Sequence, residues 1–183
     1  MTTNAGTTTW NIDASHTLVE FSAKHMMITT VKGRLSDVKG AIVVDGANPD
    51  ASYVEVEIGA GSLSTGVDQR DGHLRSADFL DVETFPAITF RSKKIDGAYA
   101  SPGDDFRVTG DLTIRGATHE VTLDATYEGT GKDPWGGERV SFSAKGKIDR
   151  RDFGLTWNQA LETGGILVGN DIRITIEVQA VKA

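Results

Sequence analysis

The sequence contains no cysteine. This absence excludes a disulfide scaffold, a thiolate zinc site and a cysteine nucleophile. Lys and Arg occur only singly or in pairs, and the net charge is −7, so the basic surface that nucleic-acid binding requires is missing. No segment approaches the roughly 20 consecutive apolar residues of a transmembrane helix. We therefore expect neither a nucleic-acid partner nor a transmembrane segment.

The N-terminal residues are poor in both basic and apolar side chains. Residues 1–9 read MTTNAGTTT, which has neither the basic start nor the apolar stretch of a secretory signal. We interpret residues 1–9 as a flexible tail and residues 10–183 as one domain, and we expect a cytoplasmic location. A chain of 183 residues is the size of a single domain and can bury a stable core without a disulfide or a metal.

What the sequence does have is a strict alternation of apolar and polar residues. This alternation predicts antiparallel strands with one apolar face and one wet face. About eight such strands must hide their apolar faces, and the solutions are a sandwich or a closed barrel. The strongly alternating segments are 54–58, 106–115, 120–128, 140–149 and 172–179, and the weaker ones are 17–25, 33–45 and 87–92.

Three places depart from regular strand patterning. Gly40 lies inside the long segment 33–45, where it predicts a bulge or bend. Residues 62–81 have an apolar spacing closer to that of a helix, and Ser64 or Thr65 is the candidate cap. Residues 150–165 resist strand assignment. The predicted fold is therefore all-β, with one or two short helices in loops.

The apolar residues on the alternating faces are the first candidate ligand contacts. Small residues on the same faces leave room that larger side chains would fill: Ala23, Gly110, Ala125, Ala144 and Gly146. In small barrels such faces usually pack into a closed core, so the residues alone favour core filling over a ligand tunnel. The candidates are Phe21, Ile58, Phe90, Phe106, Val108, Leu112, Phe142 and Ile174, with Phe79 from the predicted helical segment.

Two histidines and a tryptophan are further candidates. His25 falls on the apolar face of its strand, and His73 lies in the predicted helix. Each contacts either a polar ligand head or a structural hydrogen-bond partner, and the structural role is favoured. Trp157 either lines one end of a tunnel or packs under a loop. The neighbouring charged residues 70–81 form either an ion-pair network or a head-group site, and the network is favoured.

The sequence lacks the motifs of common enzymes. It has no Gly-x-Ser-x-Gly elbow and no phosphate-binding Walker loop. Its four histidines show no HxH or HxxxH spacing. We therefore predict that the protein is not an enzyme and has no metal or other cofactor.

Several motifs in order resemble the YceI-like family. They are 10–17 WNIDASHT, 68–86 DQRDGHLRSADFLDVETFP, 106–123 FRVTGDLTIRGATHEVTL and 148–158 IDRRDFGLTWN. The resemblance extends from about Trp10 to Lys182. It implies a lipocalin-like eight-stranded antiparallel barrel, a long polyisoprenoid or similar amphiphile in an apolar tunnel, and a homodimer. Many members of the family are exported to the periplasm, and we expect this chain to depart from them, because residues 1–9 do not read as a signal peptide.

The resulting hypothesis is binding, storage or transport of a long-chain polyisoprenoid or similar amphiphilic lipid, such as an isoprenoid quinone or a prenyl phosphate. Two alternatives stay open at this point. One is an enzyme that acts on a lipid head through His25 or His73. The other is a protein-interaction module whose barrel is filled by its own side chains.

Overall fold

In the part of the chain that the structure describes, ten antiparallel strands form one continuous sheet; they include the eight alternating segments and, in addition, residues 7–12 and 29–32. The computed structural model describes residues 6–97 and 99–183. One α-helix, α1, spans Asp68–Arg75, and several 3₁₀ turns lie in the connections. The strands are β1 Thr7–Ile12, β2 Leu18–His25, β3 Thr29–Leu35, β4 Val38–Asp45, β5 Tyr53–Gly59, β6 Ala87–Gly97, β7 Asp105–Ile114, β8 Ala117–Lys132, β9 Glu138–Asp149 and β10 Asp171–Lys182.

These ten segments occupy eight positions around a closed barrel. Strands β1 and β2 follow one another along the same edge of β10, interrupted by the 3₁₀ turn Ala14–His16. Strands β3 and β4 share the next position, because β3 pairs with β2 and β4 pairs with β1. The pairing of β1 with β10 closes the ring. The prediction of an eight-stranded antiparallel barrel with a short helix in a loop is confirmed.

The predicted bend at Gly40 is wrong. The chain breaks instead at Ser36-Asp37, between β3 and β4, while Gly40 pairs with Val56 in unbroken register. A Cβ atom at Gly40 would lie 2.1 Å from the carbonyl oxygen of Glu55. The glycine therefore permits a close approach of two strands, which the sequence pattern does not distinguish from a bulge.

The barrel begins earlier than the predicted tail boundary. Thr7, Thr8 and Thr9 belong to β1 and pair with Asp45, Val44 and Val43, because their backbone groups complete the edge of β4. Residues 1–5 of the predicted tail lie outside the described residues.

Four connections lie at one end of the barrel, which we call the helix end. Because neighbouring strands are antiparallel, residues 26–28, 60–86, 115–116 and 150–170 all project there. The fully buried apolar residues concentrate near this end, and Phe153 is the most deeply buried large side chain. The helix end is thus the most tightly packed part of the barrel, while the rest of the bore follows the strands.

Helix α1 is anchored by the side chain of one of its own residues, and neither predicted capping residue, Ser64 or Thr65, occupies its N-cap position. Val67 occupies the N-cap position without a side-chain hydrogen bond. The buried carboxylate of Asp71 instead accepts hydrogen bonds from Thr65 N at 2.8 Å and Thr65 Oγ1 at 2.5 Å. Burial alone raises the pKa of Asp71, but the bonds from Thr65 and the charges of Arg75 and Arg70 outweigh it and keep the pKa below its usual value.

An ion-pair cluster ties three chain segments together at the opposite end of the barrel. Arg139 on β9 donates to Asp13 at 2.8 Å and to Asp133 at 2.9 Å, and all three side chains are largely buried. Hydrogen bonds from Ser15 and Arg139 hold the pKa of Asp13 well below its usual range. The backbone N–H of Gly137 and the Arg139 guanidinium lower the pKa of Asp133.

This cluster predicts a loss of stability in acid. An unfolded Asp titrates near pH 3.9, and both folded-state pKa values lie lower, so the stabilisation is complete above about pH 5 and is lost as the pH falls below about 4. Urea unfolding at a series of pH values measures this slope. Arg139→Met removes the shared cation, and we expect it to flatten the slope. Equal slopes for Arg139→Met and the parent chain would contradict the assignment.

Candidate ligand-binding cavity

An apolar cavity of about 380 Å³ runs inside the barrel. Side chains from all ten strands line it, and its accessible wall is almost entirely apolar. The volume lies within the range of roughly 300–1,000 Å³ that is typical of small-molecule sites. The barrel is therefore hollow along its bore, and the buried residues near the helix end form part of the cavity wall.

The structure brings most of the predicted ligand contacts together on this wall. The inward face of each strand was set by the period-two alternation, and closure of the barrel turns all those faces toward one space. Their contact with a ligand stays a prediction. The predicted residues that line the cavity are Phe21, His25, Ile58, Phe79, Phe90, Phe106, Val108, Leu112, Phe142 and Ile174.

The small residues separate into two groups. Ala23, Ala125 and Ala144 line the cavity and leave room in it, as predicted. Gly110 and Gly146 do not line it, because neighbouring groups already fill the space. A Cβ atom at Gly146 would lie 2.5 Å from Leu123 Cδ2, and one at Gly110 would lie 2.4 Å from the carbonyl oxygen of Arg91. These two glycines serve packing.

His73 and Trp157 lie outside the wall, unlike the other predicted contacts. Their rings are 4.6 Å apart in an edge-on arrangement, and His73 also meets the ring of Phe79 at 5.1 Å. His73 Nε2 lies 2.9 Å from a carboxylate oxygen of Asp78. The two rings pack behind Phe79, whose phenyl ring lies between them and the cavity. Together they fasten α1 to the 150–170 segment.

We expect His73→Ala to lower the free energy of unfolding by about 1–2 kcal/mol, since it removes two aromatic contacts. The affinity for an isoprenoid is expected to change less than twofold. Asp78→Asn separates the contribution of the His73–Asp78 contact from that of the rings. Urea unfolding and lipid titration measure the two quantities. A tenfold loss of lipid affinity in His73→Ala would contradict the structural role.

Arg150 and Tyr99 line the cavity without having been predicted, and Arg70, predicted only as part of the charged stretch 70–81, lines it as well. Arg70 donates from Nε to Thr65 Oγ1 at 2.7 Å and from Nη2 to Thr65 O at 3.1 Å. Arg150 is buried and donates to four backbone carbonyls of the 154–170 segment. Tyr99 contributes a ring that lies 5.5 Å from that of Phe106. No alternation surrounds these residues in the sequence, so no periodic signal marked them as inward-facing.

The charged stretch 70–81 is only partly the predicted ion-pair network. Asp78 pairs with His73, but Arg70 and Arg75 donate chiefly to Thr65 and to backbone carbonyls of residues 61–65. Hydrogen bonds to the backbone, more than paired charges, therefore fasten α1 to the preceding loop.

The exposed part of the cavity wall lies beside the β2–β3 hairpin, at the helix end of the barrel. Among the described residues that line the cavity, only Lys24 and His25 are exposed. Val168, another lining residue, forms an isolated bridge with His25. We refer to Lys24, His25 and Val168 as the mouth. The mouth combines a cation and an imidazole with an otherwise apolar wall, which suits a ligand that has a long apolar chain and a small polar head.

Comparison with known proteins identifies related sequences over most of the chain. The family model described as the YceI-like domain matches residues 10–180. Protein YceI of Salmonella newport is 41% identical over 144 residues, which are 79% of this chain and 73% of that protein.

Solved structures share the barrel. The Campylobacter jejuni YCEI protein is 34% identical, with a TM-score of 0.69 over 86% of this chain and 88% of its own. BcnA of Burkholderia cenocepacia superposes with a TM-score of 0.77 at 22% identity, covering 92% of this chain and 99% of its own. A polyisoprenoid binding domain from Saccharophagus degradans, implicated in plant cell wall breakdown, superposes at 0.69 with 14% identity over 95% and 98% of the two chains. The last two likenesses concern the fold alone.

The described residues contain neither a helix suited to span a membrane nor a cluster of metal ligands. None of the helices in ranges 6–97 and 99–183 has the length and apolar composition of a membrane span. Within the same ranges, no group of His, Asp and Glu side chains has the arrangement of a metal site.

Proposed function

This chain belongs to the YceI-like family, and from that premise we propose that it binds a long polyisoprenoid or similar amphiphilic lipid in the barrel cavity and stores or carries it. The observation that carries the proposal is the continuous apolar wall of the 380 Å³ cavity. The Saccharophagus degradans neighbour, described as a polyisoprenoid binding domain, has the same barrel fold.

The energetics support tight binding without any charge contact. A lipid chain that buries about 500 Å² of apolar surface gains roughly 12 kcal/mol. Association and ordering remove several kcal/mol or more, which leaves an affinity in the micromolar to nanomolar range. Because one methylene group contributes only about 0.8 kcal/mol, the cavity discriminates weakly between chain lengths. Selectivity therefore rests on the polar head, and Lys24 and His25 at the mouth are the groups that meet it.

The family and the fold are of a binding-domain type, and the proposal is a carrier without catalytic activity. The hollow bore argues against a barrel filled by its own side chains. A homodimer, a cytoplasmic location and the absence of a cofactor stay predictions. Light scattering at working concentrations tests the dimer, and a single monomeric mass would contradict it.

The decisive experiment is solvent extraction of the purified protein followed by mass spectrometry of the extract. We expect a stoichiometric isoprenoid or a related long-chain amphiphile, bound again when the delipidated protein is titrated with solanesol, a long-chain polyprenol. An extract free of lipid, together with no saturable binding of polyprenols, isoprenoid quinones or prenyl phosphates, would overturn the proposal.

A further inference from the structure

The tip of the β2–β3 hairpin presents apolar side chains to solvent. Met26, Met27 and Ile28 are 42%, 65% and 74% exposed. The other exposed large apolar residues within ranges 6–97 and 99–183 stand singly: Val67 and Trp135. Single exposed apolar residues are ordinary, but three in succession at a loop tip form a patch that folding alone does not explain.

The backbone of this tip is unfavourable for its residues. Met26 and Met27 have φ angles of 51° and 61°, and the turn is closed by a hydrogen bond from Ile28 N to His25 O at 3.0 Å. Left-handed φ angles at both central residues are characteristic of type I′ turns, for which Asn-Gly is the preferred pair. A methionine in the left-handed region costs stability at both positions. Two strained apolar residues where Asn and Gly would be relaxed point to a function for the side chains themselves.

The tip is held beside the mouth of the cavity. It continues directly from Lys24 and His25, the exposed residues of the cavity wall. Met26 N donates to Leu167 O at 2.8 Å, and Gly169 N donates to Lys24 O at 2.9 Å. These bonds fix the hairpin against the 150–170 segment, so the apolar patch and the opening form one continuous surface.

The charge at this surface suits a lipid headgroup. Lys24 has no carboxylate within ion-pair distance among the described residues, whereas Lys32 on the neighbouring strand pairs with Glu20 at 3.1 Å. An apolar patch beside an unpaired cation is the composition by which proteins lie at a bilayer interface, where the apolar groups enter the acyl boundary and the cation meets anionic headgroups.

We propose that residues 26–28 dock on the surface of a lipid bilayer and set the cavity mouth against it, so that the ligand enters and leaves without crossing water. This inference rests on the proposed lipid-binding function. A polyisoprenoid released into water exposes its whole apolar surface, which makes aqueous transfer slow. A docked mouth removes that exposure. The patch continues into the cavity wall, which favours a bilayer over a second copy of the chain as its occupant.

One double substitution tests the patch, and one single substitution elsewhere serves as its control. Met27→Asn with Ile28→Ser removes both apolar side chains, and Asn tolerates the left-handed backbone, so the turn is preserved. The matched control is Trp135→Ser, which removes an 88% exposed aromatic ring at the opposite end of the barrel. Both changes lie at the surface, and urea unfolding checks that the fold is intact.

The first measurement is flotation of the protein with vesicles of phosphatidylcholine, alone or mixed with an equal part of phosphatidylglycerol. We expect the parent chain and Trp135→Ser to float, more strongly with the anionic lipid, and the hairpin variant to partition about tenfold less. Failure of the parent chain to float with either vesicle would overturn the inference. Loss of an oligomer in the hairpin variant, seen by light scattering, would assign the patch to a second copy of the chain and also overturn it.

The second measurement is the transfer of solanesol from loaded protein to acceptor vesicles, followed by mass spectrometry after centrifugation. We expect a rate that rises with vesicle concentration in the parent chain and falls about tenfold in the hairpin variant, while equilibrium binding of solanesol is unchanged. A rate independent of vesicle concentration contradicts docking but leaves lipid binding intact. Absence of solanesol binding in the parent chain contradicts the proposed function, and flotation still decides whether the tip docks.

Discussion

Replacing Arg150 by methionine is expected to lower the free energy of unfolding by about 3–5 kcal/mol. The guanidinium donates to the carbonyl oxygens of Gly169 at 2.9 Å, Trp157 at 2.9 Å and Val168 at 3.2 Å, and also to that of Leu155. Only 2% of the side chain is exposed. Methionine fills much of the same volume, but it leaves these buried or partly buried carbonyls without that donor.

The reason for so large an effect is the irregular chain that Arg150 holds. Residues 154–170 contain no regular strand or helix, so their carbonyl groups cannot satisfy one another in a ladder. The planar guanidinium of Arg150 takes the place of such a ladder, because it donates hydrogen bonds to carbonyl groups near both ends of the segment. Burial lowers the pKa of Arg150, which measures the desolvation that these bonds offset.

The adjacent arginine supplies a matched control. Arg151 is exposed and pairs only with Asp149 on its own side of the chain. We expect Arg151→Met to leave the unfolding midpoint nearly unchanged, because exposed ion pairs contribute little. Arg150→Lys keeps the charge without the fork and should lose most of the same stability. Urea unfolding of the three variants measures these differences, and an Arg150→Met variant as stable as Arg151→Met would refute the role of Arg150.

Replacing Ala144 by phenylalanine is expected to lower the affinity for solanesol at least tenfold, about 1.4 kcal/mol or more. Ala144 on β9 lies opposite Ala125 on β8, and both line the cavity. This pair of alanines keeps the bore open where Phe and Leu surround it. A phenyl ring at position 144 enters the 380 Å³ space and divides it, so a long chain loses the apolar contacts beyond the obstruction.

The protein itself should tolerate this change, because the added ring enters existing space and does not displace a packed neighbour. Lys145→Phe is the control: it adds the same ring to the next residue, whose exposed side chain lies on the outer face of β9. Titration with solanesol and urea unfolding separate binding from stability. Unchanged affinity in Ala144→Phe, with the fold intact, would show that lipid does not occupy this part of the bore.

The sequence predicted the wall of the cavity better than its openings. A period of two assigns each strand residue to one face, and closure of the sheet then sends Phe21, Phe106 and Ile174 to the same interior. No comparable period exists for 60–86 or 150–170, where position depends on contacts between distant segments. This is why the sequence left both a ligand contact and a structural role open for His73 and Trp157, and only the structure shows them behind Phe79.

The glycines and the charged residues show the same limit of what the sequence pattern predicts. Gly110 and Gly146 have the alternation of cavity residues, but whether the space above a glycine is open depends on which neighbour reaches it, and Leu123 fills the space at Gly146. Arg150 sits in an Arg-Arg pair that reads as surface charge. Arg150 can be buried because the folded 154–170 segment supplies carbonyl oxygens that accept its hydrogen bonds, and these acceptors are not evident in the sequence.

By itself the sequence determined an antiparallel β fold, the inward face of each strand and, through ordered motifs, membership of a family of closed barrels. These are local properties, because the alternation of apolar and polar side chains depends only on residues that are consecutive in the chain. The tertiary structure decided that the closed bore is hollow, that the helix end is its most tightly packed part, and that the mouth lies there beside an exposed apolar hairpin. Those features depend on volumes left between side chains from distant strands, which no period in the sequence records.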